Sequence, residues 1–205
     1  MKTLIPALVM LALAGCSSAP KEQAKAPVQE GVDIKKNPLS ALSSLASAGQ
    51  EFEKLQQELE AMPPTDPVHF SKLIEALPPV PGGWESQDPK GSTNTMGDFK
   101  VSQASRTYSH EGHRVTVEIS DWAFNKALYA PFFIQAKFSQ ESTDGYSKGI
   151  TVGGDPGREE YKTASKNGSR SMLLRKRYLT KVDIDGLPAE AMQEWAGKLN
   201  LSALP

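Results

Sequence analysis

The sequence predicts an α+β fold: a largely antiparallel sheet with helices packed on one face, preceded by an N-terminal helix and a flexible tether. Two observations predict the fold. From about residue 84 onward, apolar and polar residues alternate in short stretches, which is typical of half-buried antiparallel strands. Around residues 67–77 and 188–199, apolar residues recur instead at three- and four-residue steps, which is typical of helices.

The first sixteen residues have the pattern of a secretory signal. Lys2 precedes an apolar run of eleven residues, 4–14. This run is shorter than the roughly 20 residues of a membrane-spanning helix, and it suits the apolar core of a signal peptide. It ends in Leu13-Ala14-Gly15-Cys16, which resembles the lipobox of bacterial lipoproteins. The resemblance implies cleavage before Cys16, a diacylglycerol on the Cys16 sulfur and acylation of the new amino group.

Cys16 is the only cysteine of the chain, so a lipid on its sulfur excludes an internal disulfide. Two or three acyl chains form a stable membrane anchor, because each buried CH₂ contributes about 0.8 kcal/mol. Ser17 follows, whereas an aspartate there resembles the inner-membrane retention signal of Gram-negative lipoproteins. We therefore expect attachment to the membrane through Cys16, on the periplasmic side of the outer membrane in a Gram-negative cell.

The charge balance restricts the class of partner. The chain has 23 Lys and Arg residues against 24 Asp and Glu residues. Without a basic excess, nucleic acid is not an expected partner. The length suits one domain plus flexible material. The expected parts are a signal peptide, a lipidated cysteine with a flexible tether, an amphipathic helix and an α+β globular domain, at residues 1–15, 16–38, 39–64 and 65–205.

Two segments precede the globular domain. Residues 17–38 lack aromatic residues and are rich in Ala, Pro, Ser, Lys, Gln and Glu, so they bury too little apolar surface to fold. Residues 39–61 have the apolar spacing of a helix, which either packs on its own domain or binds a partner or a second copy. Met62-Pro63-Pro64 ends this helix, and Thr65 or Asp66 is expected to cap the next one.

Three further predictions concern the β region. Residues 86–97 are expected to form a mobile loop, and Asn167-Gly168 predicts a tight hairpin turn. Residues 170–184 are predicted to be the longest strand, with a bulge or bend because their apolar residues occupy both faces. The other predicted elements are strands near 101–108, 115–120, 148–152 and 158–164, a glycine-rich turn at 153–157, and helices at 126–140 and 188–199.

The order of these elements resembles the PsbP-like (Mog-type) fold over residues 84–204. The stretch from Arg177-Tyr178-Leu179 to Asp185-Gly186-Leu187, with the helix that follows, resembles the closing unit of that fold. Gly149 to Tyr161 resembles its central hairpin. The resemblance implies a domain that binds partners or stabilises assemblies, and it brings no catalytic motif.

A local basic stretch contains Arg170, Arg175, Lys176, Arg177 and Lys181. On a strand, Arg175 and Arg177 share a face. This face is either simply solvated or in contact with anionic headgroups, lipopolysaccharide or an acidic partner, where each close charge contributes roughly 1 kcal/mol. The candidate contact residues for an anionic partner are Arg170, Arg175, Arg177 and Lys181.

Catalytic and metal-binding motifs are weak in this sequence. His110-Glu111-Gly112-His113 has two histidines three residues apart in a predicted turn, whereas the helical metalloprotease pattern needs a spacing of four. A solvated turn is therefore preferred, with adventitious or regulatory metal binding as the alternative. Gly145-Tyr146-Ser147-Lys148-Gly149 has the letters G-x-S-x-G, but a strand is predicted after it, whereas a nucleophile elbow leads into a helix; no P-loop lysine occurs. We predict no catalytic residues, no metal, no cofactor and no enzymatic activity.

Together these observations predict a membrane-anchored lipoprotein of the cell envelope, acting as a non-enzymatic binding or assembly module with an envelope protein as partner. A second hypothesis is a small-ligand-binding lipoprotein that uses the concave face of the sheet and the aromatic residues Trp122, Tyr129, Phe132 and Phe133. An envelope hydrolase is the third, and it would require a buried pair of carboxylates or histidines in a cleft.

Overall fold

The structure is a computed structural model that describes part of the chain. The described residues are 28–30, 32–33, 49–50, 53–54, 57, 60–61, 65–97, 99–123, 132 and 138–205. Among them, no helix has the length and apolar character needed to cross a membrane. The predicted signal peptide and Cys16 lie outside these ranges. Within 39–61 the described positions have helical backbone, but the apolar positions of the predicted helix are not among them.

The predicted large antiparallel sheet is confirmed. In the described residues its strands are β1 Val28–Glu30, β2 Val32–Asp33, β3 Glu85–Ser86, β4 Lys90–Met96, β5 Phe99–His110, β6 His113–Asp121, β7 Phe138–Ser142, β8 Gly145–Val152, β9 Asp155–Lys162, β10 Asn167–Leu174 and β11 Tyr178–Asp185. The main order is β7-β8-β9-β10-β11-β6-β5, and both β3 and β4 pair with β5. Every pairing is antiparallel except that of β2 with β7.

The two first strands lie inside the segment expected to be a flexible tether. β1 pairs with β8 from Val28↔Val152 to Glu30↔Ile150, and β2 pairs with β7. At these positions the structure differs from an unpaired tether. The physical reason is that a sheet edge offers unpaired N–H and C=O groups, which a chain can pair with even when its side chains bury little apolar surface.

The β5–β6 hairpin confirms the alternation read from the sequence. Val115, Val117 and Ile119 of β6 are fully buried, while the residues between them are partly exposed. The predicted turn at Glu111-Gly112 is present, and the hairpin register closes with His110↔His113. The alternation of apolar and polar residues therefore correctly predicted which face of β6 enters the core.

The predicted mobile loop at 86–97 is largely wrong. Most of it is strand β4, which pairs with β5 from Lys90↔Ser105 to Met96↔Phe99. The sequence of β4 is polar and rich in Ser, Thr and Asn, so it reads as a loop. As the strand next to β5 it is largely exposed, and backbone pairing holds it in place.

The segment 170–184, predicted to be one long strand, belongs to two strands joined by a turn. β10 ends at Leu174, the chain turns, and β11 begins at Tyr178. Arg175 and Lys176 have φ values of 51° and 55°, and the Arg177 amide donates to the Leu174 carbonyl over 3.0 Å. The apolar residues fall at both odd and even positions because the chain reverses direction at the turn. The predicted bulge or bend within a single strand is therefore wrong.

Two other local predictions also fail. The turn before β10 lies at 163–166, so Asn167-Gly168 begins the strand instead of forming the turn. The helix predicted at 126–140 is wrong at its end, where Phe138 to Gln140 belong to β7. Position 132 is helical and the remaining positions from 124 to 137 lie outside the described residues. A short continuous apolar run does not distinguish a buried strand from a buried helix.

Two helices contact the sheet. Helix α1, Phe70–Ala76, contacts β4, β5 and β6, and helix α2, Glu190–Ala196, contacts β10 and β11. His69, not the predicted Thr65 or Asp66, caps α1, since its Nδ1 accepts from the Ser71 amide over 3.3 Å. A 3₁₀ helix, Leu201–Ala203, follows α2.

One hydrophobic cluster contains side chains from both helices and from the sheet. As predicted, α2 buries Ala191, Met192 and Trp195, and Leu204 is buried after it. The Tyr108 and Trp195 rings lie 4.6 Å apart at the centre of this cluster. The buried members are Leu73, Ala76, Leu77, Ala104, Tyr108, Val115, Val117, Ile119, Tyr178, Val182, Ile184, Ala191, Met192, Trp195 and Leu204.

Gly145 begins β8 at a position that no other residue fits. Its φ is +145°, and a Cβ atom there would lie 1.9 Å from the Tyr161 carbonyl oxygen. We expect Gly145→Ala to lower the free energy of unfolding by about 2 kcal/mol, since the backbone must shift. Gly154→Ala is the control, because φ is also positive there but no atom lies within 4 Å; a loss of about 1 kcal/mol is expected in urea unfolding. Equal losses for both variants would contradict the steric explanation.

Candidate functional site

The structure does not arrange the predicted basic residues as one strand face. Arg175 and Arg177 lie in the turn between β10 and β11, so the expectation that they share a strand face is wrong. Lys181 lies on β11, where its ammonium group is 2.8 Å from the carboxylate of Asp183, and both side chains are well exposed. The three arginines of the candidate set each contact acceptors inside the domain.

Arg177 pairs with a buried carboxylate. Its Nε and Nη2 donate to the two oxygens of Asp121 over 2.9 and 2.8 Å, and the Asp121 side chain is 0% exposed. The same carboxylate accepts from the backbone amides of Val68 and Ala123, each over 2.8 Å. The bond to Ala123 is local, two residues along the chain. The bonds to Arg177 and Val68 join segments that are distant in sequence.

Arg175 holds the last residues of the chain. Its guanidinium donates to the carbonyl oxygens of Leu201 and Leu204 over 3.1 Å. Its backbone amide donates to Asp155 Oδ1 over 3.1 Å. Burial raises the pKa of the Asp155 carboxyl, and the hydrogen bond from Arg175 opposes this rise. Arg175 is thus a structural contact, although its side chain stays exposed.

Arg170 belongs to a buried polar cluster on β8, β9 and β10. Its Nη1 pairs with Glu159 Oε2, while Glu159 Oε1 accepts from the Tyr146 hydroxyl over 2.7 Å and lies 3.9 Å from the Lys148 ammonium. The pKa of the Tyr146 hydroxyl is raised, mainly because the group is buried and secondly because it donates a hydrogen bond to Glu159. Among the described residues, Arg170 Nε and the buried Ser139 Oγ have no hydrogen-bond partner. Glu159 lines none of the three cavities given below.

The two histidines of the predicted turn face each other across the hairpin but have separate neighbours. His110 Nδ1 lies 2.7 Å from the Gly83 carbonyl oxygen, and its Nε2 lies 3.7 Å from Glu111. The ring of His113 lies against Gly186. In the ranges that the structure covers, no three His, Cys, Asp or Glu side chains are grouped to hold a metal ion.

The aromatic residues proposed for small-ligand binding are only partly described. Trp122 and Phe132 are partly buried, and Tyr129 and Phe133 lie outside the described residues. The predicted glycine-rich turn is present at Gly153-Gly154, directly before β9. Trp122, Phe132, Gly153 and Gly154 line none of the three cavities given below.

Three cavities open on the described surface. One of about 210 Å³ lies over β4, β5 and β6 and is lined by Lys90, Gly91, Ser92, Gln103, Ala104, Ser105 and Glu118. A shallow one of about 360 Å³ lies at the ends of β7, β8 and β9, among mainly polar side chains. The third, of about 220 Å³, lies beside α2 and is mainly apolar. We call it the tryptophan groove; its lining is Pro81, Trp84, Leu187, Pro188, Glu190, Ala191, Glu194, Trp195 and Lys198.

The first wall of the tryptophan groove is a tight turn ending in Trp84. The Trp84 amide donates to the Pro81 carbonyl over 3.1 Å, which closes the turn. The Trp84 ring then packs edge-on against Trp195, with centroids 5.0 Å apart and planes at 75°. The Trp84 ring packs against the hydrophobic cluster and remains partly exposed in the groove.

The second wall is the segment that leads into α2. The Leu187 amide donates to the Lys166 carbonyl over 3.2 Å, and the Tyr161 hydroxyl donates to the Leu187 carbonyl over 3.1 Å. These bonds fix the backbone before Pro188. The first wall is therefore fixed by a hydrogen bond within its own turn, and the second by hydrogen bonds to the rest of the domain.

The rim of the tryptophan groove carries charge. Glu190 and Glu194 of α2 are exposed, and the Lys198 ammonium lies 5.5 Å from the Trp195 ring centroid. Val80, next to Pro81, is 44% exposed, whereas the other large hydrophobic side chains among the described residues are at least partly buried. This site was not predicted from the sequence, although Pro81 lies three residues before Trp84 and Pro188 seven residues before Trp195.

Comparison of the chain with protein-family models, with curated proteins and with solved structures finds no match. The resemblances to the lipobox and to the PsbP-like fold therefore stay predictions based on the residues quoted above.

Proposed function

We propose that this chain is a membrane-anchored lipoprotein of the cell envelope that acts as a non-enzymatic binding or assembly module. The observation that carries the proposal is Leu13-Ala14-Gly15-Cys16 after an apolar run of signal-peptide length. Acyl chains on Cys16 hold the sheet domain at a bilayer, and an envelope protein is its partner. In this proposal α1 and α2 cover one face of the sheet, and a helix over 39–61 precedes the domain.

The pairing of β1 with β8 supports a location close to the bilayer. From Cys16 to Val28 the chain advances by twelve residues, which span at most about 40 Å when fully extended. A tether of this length would keep β1, and with it the sheet domain, within about 40 Å of the membrane surface. Ser17, in place of aspartate, favours the outer membrane in a Gram-negative cell.

The internal pairing of the arginines supports recognition through shape and apolar contact rather than through a basic face. Arg170 and Arg177 are 5% and 11% exposed in their side chains, and each pairs with a buried carboxylate. The mainly apolar surface at the tryptophan groove is the described feature that best suits a protein partner. Small-ligand binding by Trp122 and its neighbours stays the alternative prediction.

The test of the anchor is Cys16→Ser. We expect the native protein to have the mass of residues 16 onward plus a diacylglyceryl group, with or without a third acyl chain, and to incorporate labelled fatty acid. Cys16→Ser should abolish the label, because the hydroxyl does not form the thioether. The measurements are intact-mass spectrometry and fatty-acid labelling.

The matched control replaces residues 1–16 with the signal peptide of a soluble secreted protein, and this variant should be recovered in the soluble fraction. In a Gram-negative host, Ser17→Asp should move the native protein from the outer to the inner membrane fraction. A native protein with the mass of unmodified polypeptide would refute the anchor.

A further inference from the structure

We propose that the tryptophan groove binds an extended, proline-containing segment of a partner protein that also carries lysine or arginine. This inference rests on the binding role proposed above, and it names the chemistry of the partner.

The shape and lining of the groove suit a polyproline II segment. Trp84 and Trp195 supply aromatic surface, and Pro81, Leu187 and Pro188 supply rigid apolar walls. Aromatic-lined grooves recognise proline-rich segments because such segments are already extended and lose little conformational entropy on binding. The hydrogen bonds that fix both walls likewise reduce the entropy cost on the side of the receptor.

The size of the groove favours a piece of extended chain over an enclosed small molecule. Its volume is about 220 Å³, whereas small-molecule pockets usually measure about 300–1,000 Å³. The exposed Val80 continues the apolar surface beyond Pro81. A segment that extends past the groove would cover this side chain as well.

The charges at the rim specify a basic residue in the partner. Glu190 and Glu194 are both exposed, four residues apart on α2, and residues four apart lie on the same side of a helix. Lys198, whose ammonium lies 5.5 Å from the centroid of Trp195, is the one basic residue in the lining, so the rim has a net negative charge. A lysine or arginine next to proline in the partner would meet the two carboxylates.

The experiment measures binding of a fluorescent peptide to the purified mature lipoprotein in detergent micelles. The probe is Pro-Pro-Lys-Pro-Pro-Lys-Pro-Pro, followed by fluorescence anisotropy. Two comparison peptides replace every proline by alanine or every lysine by glutamate. We expect saturable binding of the probe, and affinity at least about tenfold lower for each comparison peptide.

Variants of the groove test the location of the site. Glu190→Lys combined with Glu194→Lys should weaken binding about tenfold, because two attractions become repulsions. Trp84→Ala should weaken it by a similar factor or more, with circular dichroism confirming that the variant is folded. The control is Asp88→Lys combined with Asp144→Lys, which makes the same charge change at two exposed positions outside the groove; binding should stay within about twofold of the native value.

The outcomes separate this inference from the anchor proposal. Absence of saturable binding, equal binding of the alanine peptide, or an equal loss in the control variant would overturn the inference. A correctly acylated protein that fails to bind the probe refutes the groove alone, while a protein of unmodified mass that binds it refutes the anchor alone.

Discussion

Asp121→Ala should lower the free energy of unfolding by about 3–5 kcal/mol. The variant removes the carboxylate from Arg177, whose side chain is only 11% exposed, and leaves that cation without its buried counter-charge. The amides of Val68 and Ala123 lose their acceptor in the same step. Each buried donor left unsatisfied costs a further desolvation penalty. Urea unfolding followed by circular dichroism measures the loss.

Asp185→Ala is the matched control for this variant. Asp185 also pairs with an arginine over 2.9 Å, but both side chains of the Arg114–Asp185 pair are largely exposed. Exposed ion pairs contribute about 0–1 kcal/mol, so the control should stay within about 1 kcal/mol of the native protein. If the two aspartate variants lose similar stability, burial of the Asp121 site is not what makes its ion pair important.

Arg170→Met should also lower the free energy of unfolding by about 3–5 kcal/mol. The substitution leaves Glu159 buried without its closest cation, and Lys148 lies 3.9 Å away. Combining it with Glu159→Leu should recover most of the stability, since no buried charge then lacks a partner. The recovery will be incomplete because the Tyr146 hydroxyl loses its acceptor. A double-mutant cycle in urea measures the coupling between the two side chains.

A neighbouring ion pair on β9 provides the comparison. Arg158 Nε lies 2.7 Å from Glu160 Oε1, and the Glu160 side chain is largely exposed. The hydrogen bond from Arg158 is the main cause of the lowered pKa of Glu160. Arg158→Met should nevertheless cost less than about 1 kcal/mol, because solvent screens the pair. A double variant at Glu159 and Arg170 no more stable than Arg170→Met alone would contradict the reasoning for the buried pair.

Local periodicity explains which elements could be predicted from the sequence. Alternation over Val115, Val117 and Ile119 identified β6, and the spacing of Ala191, Met192 and Trp195 identified α2. Both patterns depend only on neighbours along the chain. They suffice where one face of an element enters the core and the other meets solvent.

The turn at Arg175 shows where such reasoning ends. Positive φ values are usual for glycine or asparagine, but here Arg175 and Lys176 adopt them. The reversal was therefore read as an irregular strand, while the stronger turn signal at Asn167-Gly168 fell within β10. Tertiary pairing with β9 and β11 outweighed the local preference at both places.

The candidate sites depend still more on distant contacts. The charge of Arg177 is visible in the sequence, but its partner Asp121 lies 56 residues away, so an apparent basic face is in fact an internal ion pair. The tryptophan groove likewise joins Trp84 to Trp195, which only the folded sheet brings together. Sequence patterns identified these residues as apolar or charged, and could not identify their partners.

The hydrogen bond from the Val68 amide to Asp121 affects which parts of the domain unfold together. It ties the segment that leads into α1 to the last residue of β6, and through Arg177 to the β10–β11 turn. Helix α1 cannot detach without breaking a buried ionic junction, so it does not form a separate low-stability unit. We expect this helix and the central strands to unfold as a single cooperative block, with the Val68 proton exchanging with solvent only when that block opens.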